Sequence, residues 1–264
     1  MKILLLSLLI ALGSCANHAR HENSSAPKLA TSEMGKSENL VAATLWAQKS
    51  AEYDALCYQA YNVATERLEM ALKKNQKKNK KLAIILDVDE TVLDNTEFQG
   101  TVIKDGIVFD QALWTEWVKM EKATPLAGVK EFLTFADKKH VEIFYVSNRD
   151  KDTELESTFN NLVKMGLPAK KENLLFKDTK SSKEPRRQKI AEKYEVVLLF
   201  GDNLIDFAEG FEGSEGGKRN TNVENYRTDW GKRFIVLPNP MYGDWLKPLN
   251  KEKKPLRDLV IPMK

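Results

Sequence analysis

Two carboxylates, Asp87 and Asp89, stand two residues apart directly after the apolar run LAIIL, residues 82–86. In a β-strand, residues i and i+2 point to the same side, although a turn after the strand can bend this arrangement. Two carboxylates that point the same way repel each other unless a cation lies between them. Because such a pair is unfavourable in a purely structural role, it indicates chemistry that uses a hard cation.

Further polar residues follow the pair at later points of the chain, each just after a predicted strand or at a predicted helix start. An Asp-x-Asp-x-Thr pattern alone is weak, because it occurs by chance in many proteins. Four groups arriving in order are much more specific. In chain order they are Asp87, Asp89 and Thr91; Ser147; Lys183; and Asp202 with Asp206.

The elements that position these residues alternate between strand and helix, which predicts a parallel sheet. The predicted strands are 82–86, 141–146, 174–176, 196–200 and 234–237, and the predicted helices are 129–139, 153–165 and 185–193. In open α/β sheets the ligand crevice lies at the carboxyl ends of the strands, where Asp87, Ser147 and Asp202 would emerge. Residues 95–125 and 209–217 do not fit the alternation and are predicted to be insertions over one edge of the sheet.

A long amphipathic helix is predicted before the first strand, because apolar residues recur there at spacings of three and four. Cys57 lies on this stripe and is interpreted as a small buried hydrophobic residue. The stripe consists of Leu45, Trp46, Tyr53, Leu56, Cys57, Ala60, Tyr61, Ala64, Leu68, Ala71 and Leu72.

The four motifs, in this order, resemble those of haloacid dehalogenase (HAD) superfamily phosphatases. Two of them, DVDETVLDN (87–95) and GDNLIDF (201–207), resemble the paired signatures of bacterial class C acid phosphatases. The stretches LWAQKSAEYDALCYQAY, VSNR and LPNPMYGDW are also similar to that family. Val88 and Phe98 depart from it, because the family usually has Leu or Ile at the first position and Tyr at the second.

This resemblance implies an α/β fold: a HAD-like, three-layer Rossmannoid parallel sheet with a smaller, mainly helical cap. The phosphatase domain would span residues 38–264. Its cap would be formed by the N-terminal helix, 38–75, and the insertion near 95–125.

The residue types account for phosphoryl transfer. A phosphate dianion that approaches a carboxylate at about 4 Å meets a repulsion of about 4 kcal/mol per unit pair at an effective dielectric near 20. Mg²⁺ bound by Asp87, Asp202 and the backbone carbonyl of Asp89 would offset it. Lys183 adds a positive charge, and the Ser147 hydroxyl and Asn148 amide can donate to the phosphate oxygens.

Roles follow from position. Asp87 is predicted to be the nucleophile that forms a phosphoaspartyl intermediate, and Asp89 the general acid and then base. Because Asp89 must be protonated to donate, and an ordinary Asp has a pKa of about 3.9, an acidic optimum is expected.

Supporting roles are predicted for the remaining polar residues. Asp206 is expected to orient waters or Lys183 from beside the metal, and Thr91 to support the same site. Glu90 and Asp94 have two interpretations, a direct catalytic role or turn formation and capping.

Two aromatic residues, Trp114 and Tyr242, bear on the substrate. By resemblance to class C enzymes that act as nucleotidases, they would sandwich the ring of a nucleoside 5′-monophosphate or of nicotinamide mononucleotide. The alternative is that both rings close the cap hydrophobically.

The sequence has two other interpretations for the function of the whole chain. One is a surface-exposed lipoprotein that binds a ligand without turnover, and the other is a HAD phosphotransferase that passes the phosphoryl group to an alcohol.

The N-terminus predicts an export signal. Lys2 precedes an apolar stretch, residues 3–12, which is too short to span a bilayer. The following Gly13-Ser14-Cys15 resembles a bacterial lipobox, which makes residues 1–14 a lipoprotein signal peptide, Cys15 the lipidated residue and 15–37 a flexible tether. The alternative is an ordinary signal peptide with a chance cysteine.

The resemblance to a lipobox places the chain in the bacterial cell envelope, held to the membrane by its lipid. Ala16, where no aspartate follows the cysteine, favours the outer membrane.

Composition sets outer limits. With 264 residues, 42% of them hydrophobic, the chain can bury one substantial core, and its net charge is only +3. The basic run 73–81 is either a nucleic-acid patch or a solvated helix end. Because no aromatic residue is interleaved with these lysines, no nucleic-acid polymer is expected as a partner. The sequence leaves open whether the chain forms a homodimer.

Overall fold

A computed structural model describes residues 38–76, 81–107, 109–211, 216–249, 251–252 and 254–263. The predicted signal peptide, Cys15 and the tether lie outside the described residues, as does part of the basic run. Within the described part of the chain, no helix has the length and apolar character needed to cross a membrane.

Five parallel strands form the central sheet in the order β5-β4-β1-β6-β7, and a short antiparallel pair joins β2 to β3. All five predicted strands are present. The strands are β1 Leu82–Leu86, β2 Leu93–Asp94, β3 Thr124–Pro125, β4 Glu142–Asp150, β5 Leu174–Lys177, β6 Glu195–Gly201 and β7 Phe234–Val236.

Strand β4 continues four residues beyond its predicted end, and this changes the position of the VSNR motif. Its pairing with β5 is irregular between Val146 and Asp150, and it resumes where Asp150 pairs with Lys177. Ser147 therefore lies within the irregular end of the strand instead of in a loop after it.

Helices cover the sheet and fill the segment between β2 and β3. Helices α5, α6 and α7 correspond to the three predicted helices, while α3 and α4 occupy the predicted insertion 95–125. The helices are α1 Val41–Lys49, α2 Ala51–Asn75, α3 Thr96–Lys104, α4 Gln111–Lys119, α5 Val129–Lys138, α6 Leu155–Lys164, α7 Glu184–Ala191, α8 Gly216–Asn225 and α9 Leu246–Leu249.

The alternation of β1 builds two cores, one on each face of the sheet. Ile84 and Leu86 pack in the larger core with Leu68 of α2 and Phe132 of α5. Ile85 faces the other side, in a core that also contains residues of α7, β6 and β7. Since a fully buried side chain of this size contributes about 1.5–3 kcal/mol, both layers stabilise β1 at the centre.

The N-terminal helix differs from its prediction. It is broken at Ser50, whose backbone is extended and whose hydroxyl oxygen accepts the Tyr53 N–H to cap α2. Leu45 and Leu56, both assigned to the buried stripe, are exposed. The break shifts the phase of α1 relative to α2, which moves Leu45 off the stripe, and Leu56 lines an open groove against β7. Cys57 is fully buried, and burial raises the pKa of its thiol to about 12.

Helix α8 was not predicted, because the stretch before it is rich in glycine and its own sequence is polar. Two side chains tie it to the preceding 3₁₀ turn, Glu209–Phe211. Arg219 donates to the Phe211 carbonyl at 2.6 Å, and Asn222 donates to the Gly210 carbonyl. Tertiary hydrogen bonds therefore outweigh weak helix propensity here.

Candidate active site

Asp87 follows the central strand of the sheet. Leu86 pairs with Tyr145 of β4 on one side and with Phe200 of β6 on the other, and the Asp87 N–H donates to the Phe200 carbonyl at 3.0 Å. Asp87 therefore emerges between the carboxyl ends of β4 and β6. Ser147 lies in β4, and Asp202 directly follows β6.

Three carboxylates and one ammonium meet beside the end of β1, and we refer to Asp87, Asp202, Asp206 and Lys183 as the acidic cluster. One oxygen from each carboxylate lies within 4.8 Å of the others. Lys183 Nζ lies 2.6 Å from Asp87 Oδ1 and 2.6 Å from Asp206 Oδ1. Because one ammonium faces three carboxylates, the acidic cluster carries excess negative charge whenever all three are ionised.

Burial dominates the ionisation of this cluster. It raises the pKa of Asp87 from 3.8 to about 7, with Lys183 opposing the rise and Asp206 and Asp89 adding to it. Burial and Asp206 also raise the pKa of Asp202 well above its ordinary range. Burial alone would lower the pKa of Lys183, but Asp206 and Asp87 outweigh it and raise the net value. In the metal-free protein, Asp87 and Asp202 therefore stay protonated to a higher pH than ordinary aspartates, beside a charged Lys183.

Local structure after β6 fixes the other two carboxylates. Asp206 ends a 3₁₀ turn, and its Oδ2 accepts the backbone N–H of Asn203 at 3.0 Å. Asp202 Oδ2 accepts from Asn239 Nδ2 at 2.8 Å. Gly201 is required where it stands, since a Cβ there would overlap the Asp206 side chain.

Asp89 lies in a different environment, formed by Arg149 and Asn95, and we refer to these three residues as the acid-anchoring group. Asp89 Oδ1 accepts from Arg149 Nη2 at 2.8 Å, from Arg149 Nε at 3.0 Å and from Asn95 Nδ2 at 3.0 Å. Charge-assisted hydrogen bonds of this kind are roughly twice as strong as neutral ones. The carboxylate of Asp89 is thus held by the protein itself.

Ser147 borders the acid-anchoring group, and Asn148 follows it in the chain. Ser147 Oγ lies 3.5 Å from Asp89 Oδ2. Arg186 donates to the Ser147 carbonyl at 2.6 Å and to Asn148 Oδ1 at 2.7 Å. With its oxygen bound in this way, the Asn148 amide has its nitrogen left to act as a donor.

The turn after β1 is shaped by the residues between the two groups. Tyr61 OH donates to the Thr91 carbonyl at 2.5 Å. Glu90 has a left-handed backbone, φ 50°, and accepts the Asn95 N–H at 2.9 Å, while Asp94 Oδ1 accepts the Thr96 N–H at 2.7 Å. Burial raises the pKa of Glu90 well above its ordinary range, with Asp89 and Asp202 adding to the rise. Glu90 and Asp94 thus make the local backbone contacts expected of turn formers and caps.

The two residues predicted to sandwich the substrate ring are placed differently. Trp114 is only 9% exposed, its ring centroid lies 5.0 Å from that of Phe98 in an edge-to-face arrangement, and the Arg149 guanidinium lies 5.4 Å from the Trp114 ring. Tyr242 is half-buried and packs against the main core. Beside Trp114, at 6.3 Å, the ring of Phe109 is 59% exposed. The burial of Trp114 favours the interpretation in which it closes the cap.

The structure brings together most of the predicted site residues, namely Asp87, Asp89, Ser147, Asn148, Lys183, Asp202 and Asp206. Sequence reasoning missed Arg149, Asn95 and Arg186. Arg149 and Asn95 lie inside the quoted motifs VSNR and DVDETVLDN, so the motifs themselves were the available signal.

The fold and the site together define a class. A parallel sheet whose central strand ends in an aspartate pair, with Ser, Lys and Asp supplied by neighbouring elements, is typical of HAD phosphoryl-transfer enzymes. The family model for HAD superfamily subfamily IIIB (acid phosphatase) matches residues 2–245. The chain belongs to this acid phosphatase family, and it is a phosphomonoesterase.

Solved structures agree with this assignment. The class C acid phosphatase from Bacillus anthracis is 37% identical with a TM-score of 0.81, and the match covers 87% of this chain and 100% of that one. The same enzyme with tungstate bound is 36% identical with a TM-score of 0.82, at the same coverage. The resemblance and the fold class predicted from sequence are both confirmed.

Proposed function

We propose that this acid phosphatase uses Mg²⁺ and a covalent phosphoaspartyl intermediate on Asp87. The observation that carries the proposal is the acidic cluster, in which the Asp87 carboxylate lies beside two further carboxylates and the Lys183 ammonium. Hard oxygen ligands of this type suit Mg²⁺, and a buried excess of negative charge favours a cation. The residues present therefore fit the metal.

Asp87, Asp202 and the backbone carbonyl of Asp89 would hold the ion, with Asp206 beside them. When bound, Mg²⁺ supplies positive charge that offsets the repulsion between the phosphate dianion and the nucleophile. The relative with tungstate bound supports an oxyanion ligand at this fold, since tungstate, like phosphate, is a tetrahedral oxyanion.

The side chains of the chain perform the remaining steps. Lys183, Ser147 and Asn148 bind the phosphate oxygens. An Asp87 oxygen forms a bond to phosphorus while the bond from phosphorus to the ester oxygen breaks, and Asp89 gives its proton to the departing oxygen. Asp89 then takes a proton from water, whose oxygen bonds to phosphorus and releases the Asp87 carboxylate and inorganic phosphate.

Phosphate release with and without Mg²⁺ tests this mechanism. Asp87→Asn should lower the rate by about 10⁴-fold or more, because it removes the nucleophile. Asp258→Asn, in an exposed 3₁₀ turn, is the matched control and should leave the rate unchanged. Activity within tenfold of wild type in Asp87→Asn would contradict the proposal. Product analysis with added alcohols separates hydrolysis from phosphotransfer.

For the substrate we propose nucleoside 5′-monophosphates or nicotinamide mononucleotide. Two aromatic rings support a flat ring on the leaving group: Phe109, which is 59% exposed beside the buried Trp114, and the half-buried Tyr242. Trp114→Ala should lower kcat/KM for nucleoside monophosphates more than for p-nitrophenyl phosphate. An equal loss for both would exclude the sandwich.

We also propose that Cys15 carries a lipid that holds the chain to the bacterial outer membrane. The support is the sequence alone, an apolar stretch that ends in Gly13-Ser14-Cys15. Cys15→Ser should move the protein from the membrane fraction to the soluble fraction and abolish labelling by palmitate. Unchanged fractionation would exclude the anchor.

A further inference from the structure

The Arg149 side chain is a buried cation that the proposed mechanism does not use. It is 1% exposed, and its three nitrogens all have partners. Nε and Nη2 bind Asp89, Nη1 donates to Thr158 Oγ1 at 2.9 Å, and Nη2 also reaches Asn95 Oδ1 at 3.3 Å. A buried guanidinium is unfavourable unless its partners compensate, so this geometry is closely constrained.

Asn95 is the second residue that holds Asp89 in place. Its Nδ2 donates to Asp89 Oδ1, and its Oδ1 accepts from Trp117 Nε1 at 2.9 Å. Its backbone N–H donates to Glu90 Oε1 at 2.9 Å. Since one end of the amide faces acceptors and the other faces donors, its orientation is set. The side chain is fully buried and connects Asp89 to helix α4 of the cap.

These contacts treat the two oxygens of Asp89 unequally. Oδ1 accepts three hydrogen bonds of 3.0 Å or less. Oδ2 has only longer contacts, 3.3 Å to Arg149 Nε and 3.5 Å to Ser147 Oγ. The Asp89 side chain is 19% exposed, and the contact of Oδ2 with Ser147 places this oxygen beside a predicted phosphate-binding residue.

We propose that Arg149 and Asn95 are positioning residues that anchor Asp89 Oδ1 and so aim Oδ2 at the ester oxygen of the substrate. In the step concerned, the bond between phosphorus and the ester oxygen breaks, and the proton on Oδ2 moves to that oxygen. This inference rests on the proposed function, because it assigns a role relative to Asp89 as general acid. It gives a role to two residues that the proposed mechanism leaves without one.

Leaving-group dependence tests the proposal. An alkyl phosphate needs a proton on its departing oxygen, whereas 2,4-dinitrophenolate leaves without one. Arg149→Met and Asn95→Ala should therefore lower kcat/KM for glycerol phosphate by about 100-fold, within the usual range for general acid catalysis. The loss with 2,4-dinitrophenyl phosphate should stay below about threefold. The ratio kcat/KM is used because it reports only the steps up to formation of the phosphoenzyme.

Controls separate positioning from stability and from phosphate binding. Asp89→Asn should show the same selective loss, and Arg227→Met, which removes an exposed arginine of a surface ion pair, should show none. Arg149→Lys keeps the charge but loses the bidentate geometry. Its kcat/KM for glycerol phosphate should therefore lie between those of wild type and Arg149→Met. Thermal unfolding of each variant shows whether it is folded.

Three outcomes would overturn the inference: an equal loss on both esters, no loss on either, or full activity on glycerol phosphate in both Arg149→Lys and Asn95→Ala. An equal rise in KM for both esters would instead make Arg149 a phosphate ligand. Failure of the mechanism itself has a different signature, because Asp87→Asn would then remain active on 2,4-dinitrophenyl phosphate.

Discussion

Asp87 and Asp89 are two residues apart, yet they lie in opposite electrostatic environments. The acidic cluster around Asp87 has three carboxylates for one ammonium, and burial raises the pKa of two of them. The acid-anchoring group has one carboxylate, one guanidinium and one amide, all joined by hydrogen bonds. The first region carries more negative than positive charge when its carboxylates are ionised, and in the second region the charge of Asp89 is matched by that of Arg149.

This difference separates the two tasks of the reaction. A nucleophile that must meet a dianion needs positive charge that is present when the substrate binds. A proton donor needs a fixed direction, which hydrogen bonds from a rigid neighbour supply. Changes in the acidic cluster should therefore affect every phosphate ester alike, and changes in the acid-anchoring group should discriminate between leaving groups.

Among the changes that test this difference between the two regions, removal of the lysine charge should have the largest effect. Lys183→Met leaves three buried carboxylates without their ammonium, so phosphate release should fall by about 10³-fold. The loss should be the same for glycerol phosphate and 2,4-dinitrophenyl phosphate. Breaking a buried ion pair should also lower the free energy of unfolding by about 3–5 kcal/mol in the metal-free protein, measured by urea unfolding.

The exposed Lys247, in α9, offers a matched control, and Lys247→Met should change neither quantity. A loss that differs by more than about tenfold between the two esters would place Lys183 in the proton-transfer step and break the distinction between the two regions.

A smaller effect concerns pH and Mg²⁺. Because the pKa of Asp87 rises from 3.8 to about 7 on folding, the folded metal-free chain holds a proton that the unfolded chain releases across that window. Its stability should therefore fall as the pH rises from about 4 to about 7. Mg²⁺ binds the ionised carboxylates, so the increase in Tm that it causes should be larger at pH 7.5 than at pH 5.

Thermal unfolding at both pH values, with EDTA and with Mg²⁺, measures this. Asp87→Asn should make the pH dependence of the metal-free protein less steep, and the remaining slope comes from Asp202 and Glu90, whose pKa values are also raised. An Mg²⁺-induced shift in Tm that is the same at both pH values would mean that protons and metal do not compete in the acidic cluster.

The two regions also differ in how far sequence could predict them. Asp87, Lys183 and Asp202 were found because each follows a strand or begins a helix, and parallel strands bring such positions to one edge. Arg149 and Asn95 were not predicted as site residues. Their role depends on the irregular end of β4 and on the left-handed turn at Glu90. No periodicity encodes either feature. The break at Ser50 was not predicted for the same reason, since one extended residue changes the phase of a helix without changing its composition.

The smallest expected effect tests whether the cap helps to orient the carboxyl group of Asp89. Trp117→Phe keeps a large ring in the buried site and removes the indole N–H that donates to Asn95 Oδ1 at 2.9 Å. Loss of one neutral hydrogen bond is worth about 1 kcal/mol, so kcat/KM for glycerol phosphate should fall by about fivefold, with 2,4-dinitrophenyl phosphate unchanged. Trp230→Phe is the matched control, because it also loses an indole hydrogen bond, 3.0 Å to the Val223 carbonyl, but its ring packs against the second core and not against Asn95. If the two variants behave alike, the hydrogen bond from Trp117 does not contribute to the orientation of Asp89. The cap then only covers the site. A selective loss in Trp117→Phe alone would mean that closure of the cap and orientation of the proton donor are one event.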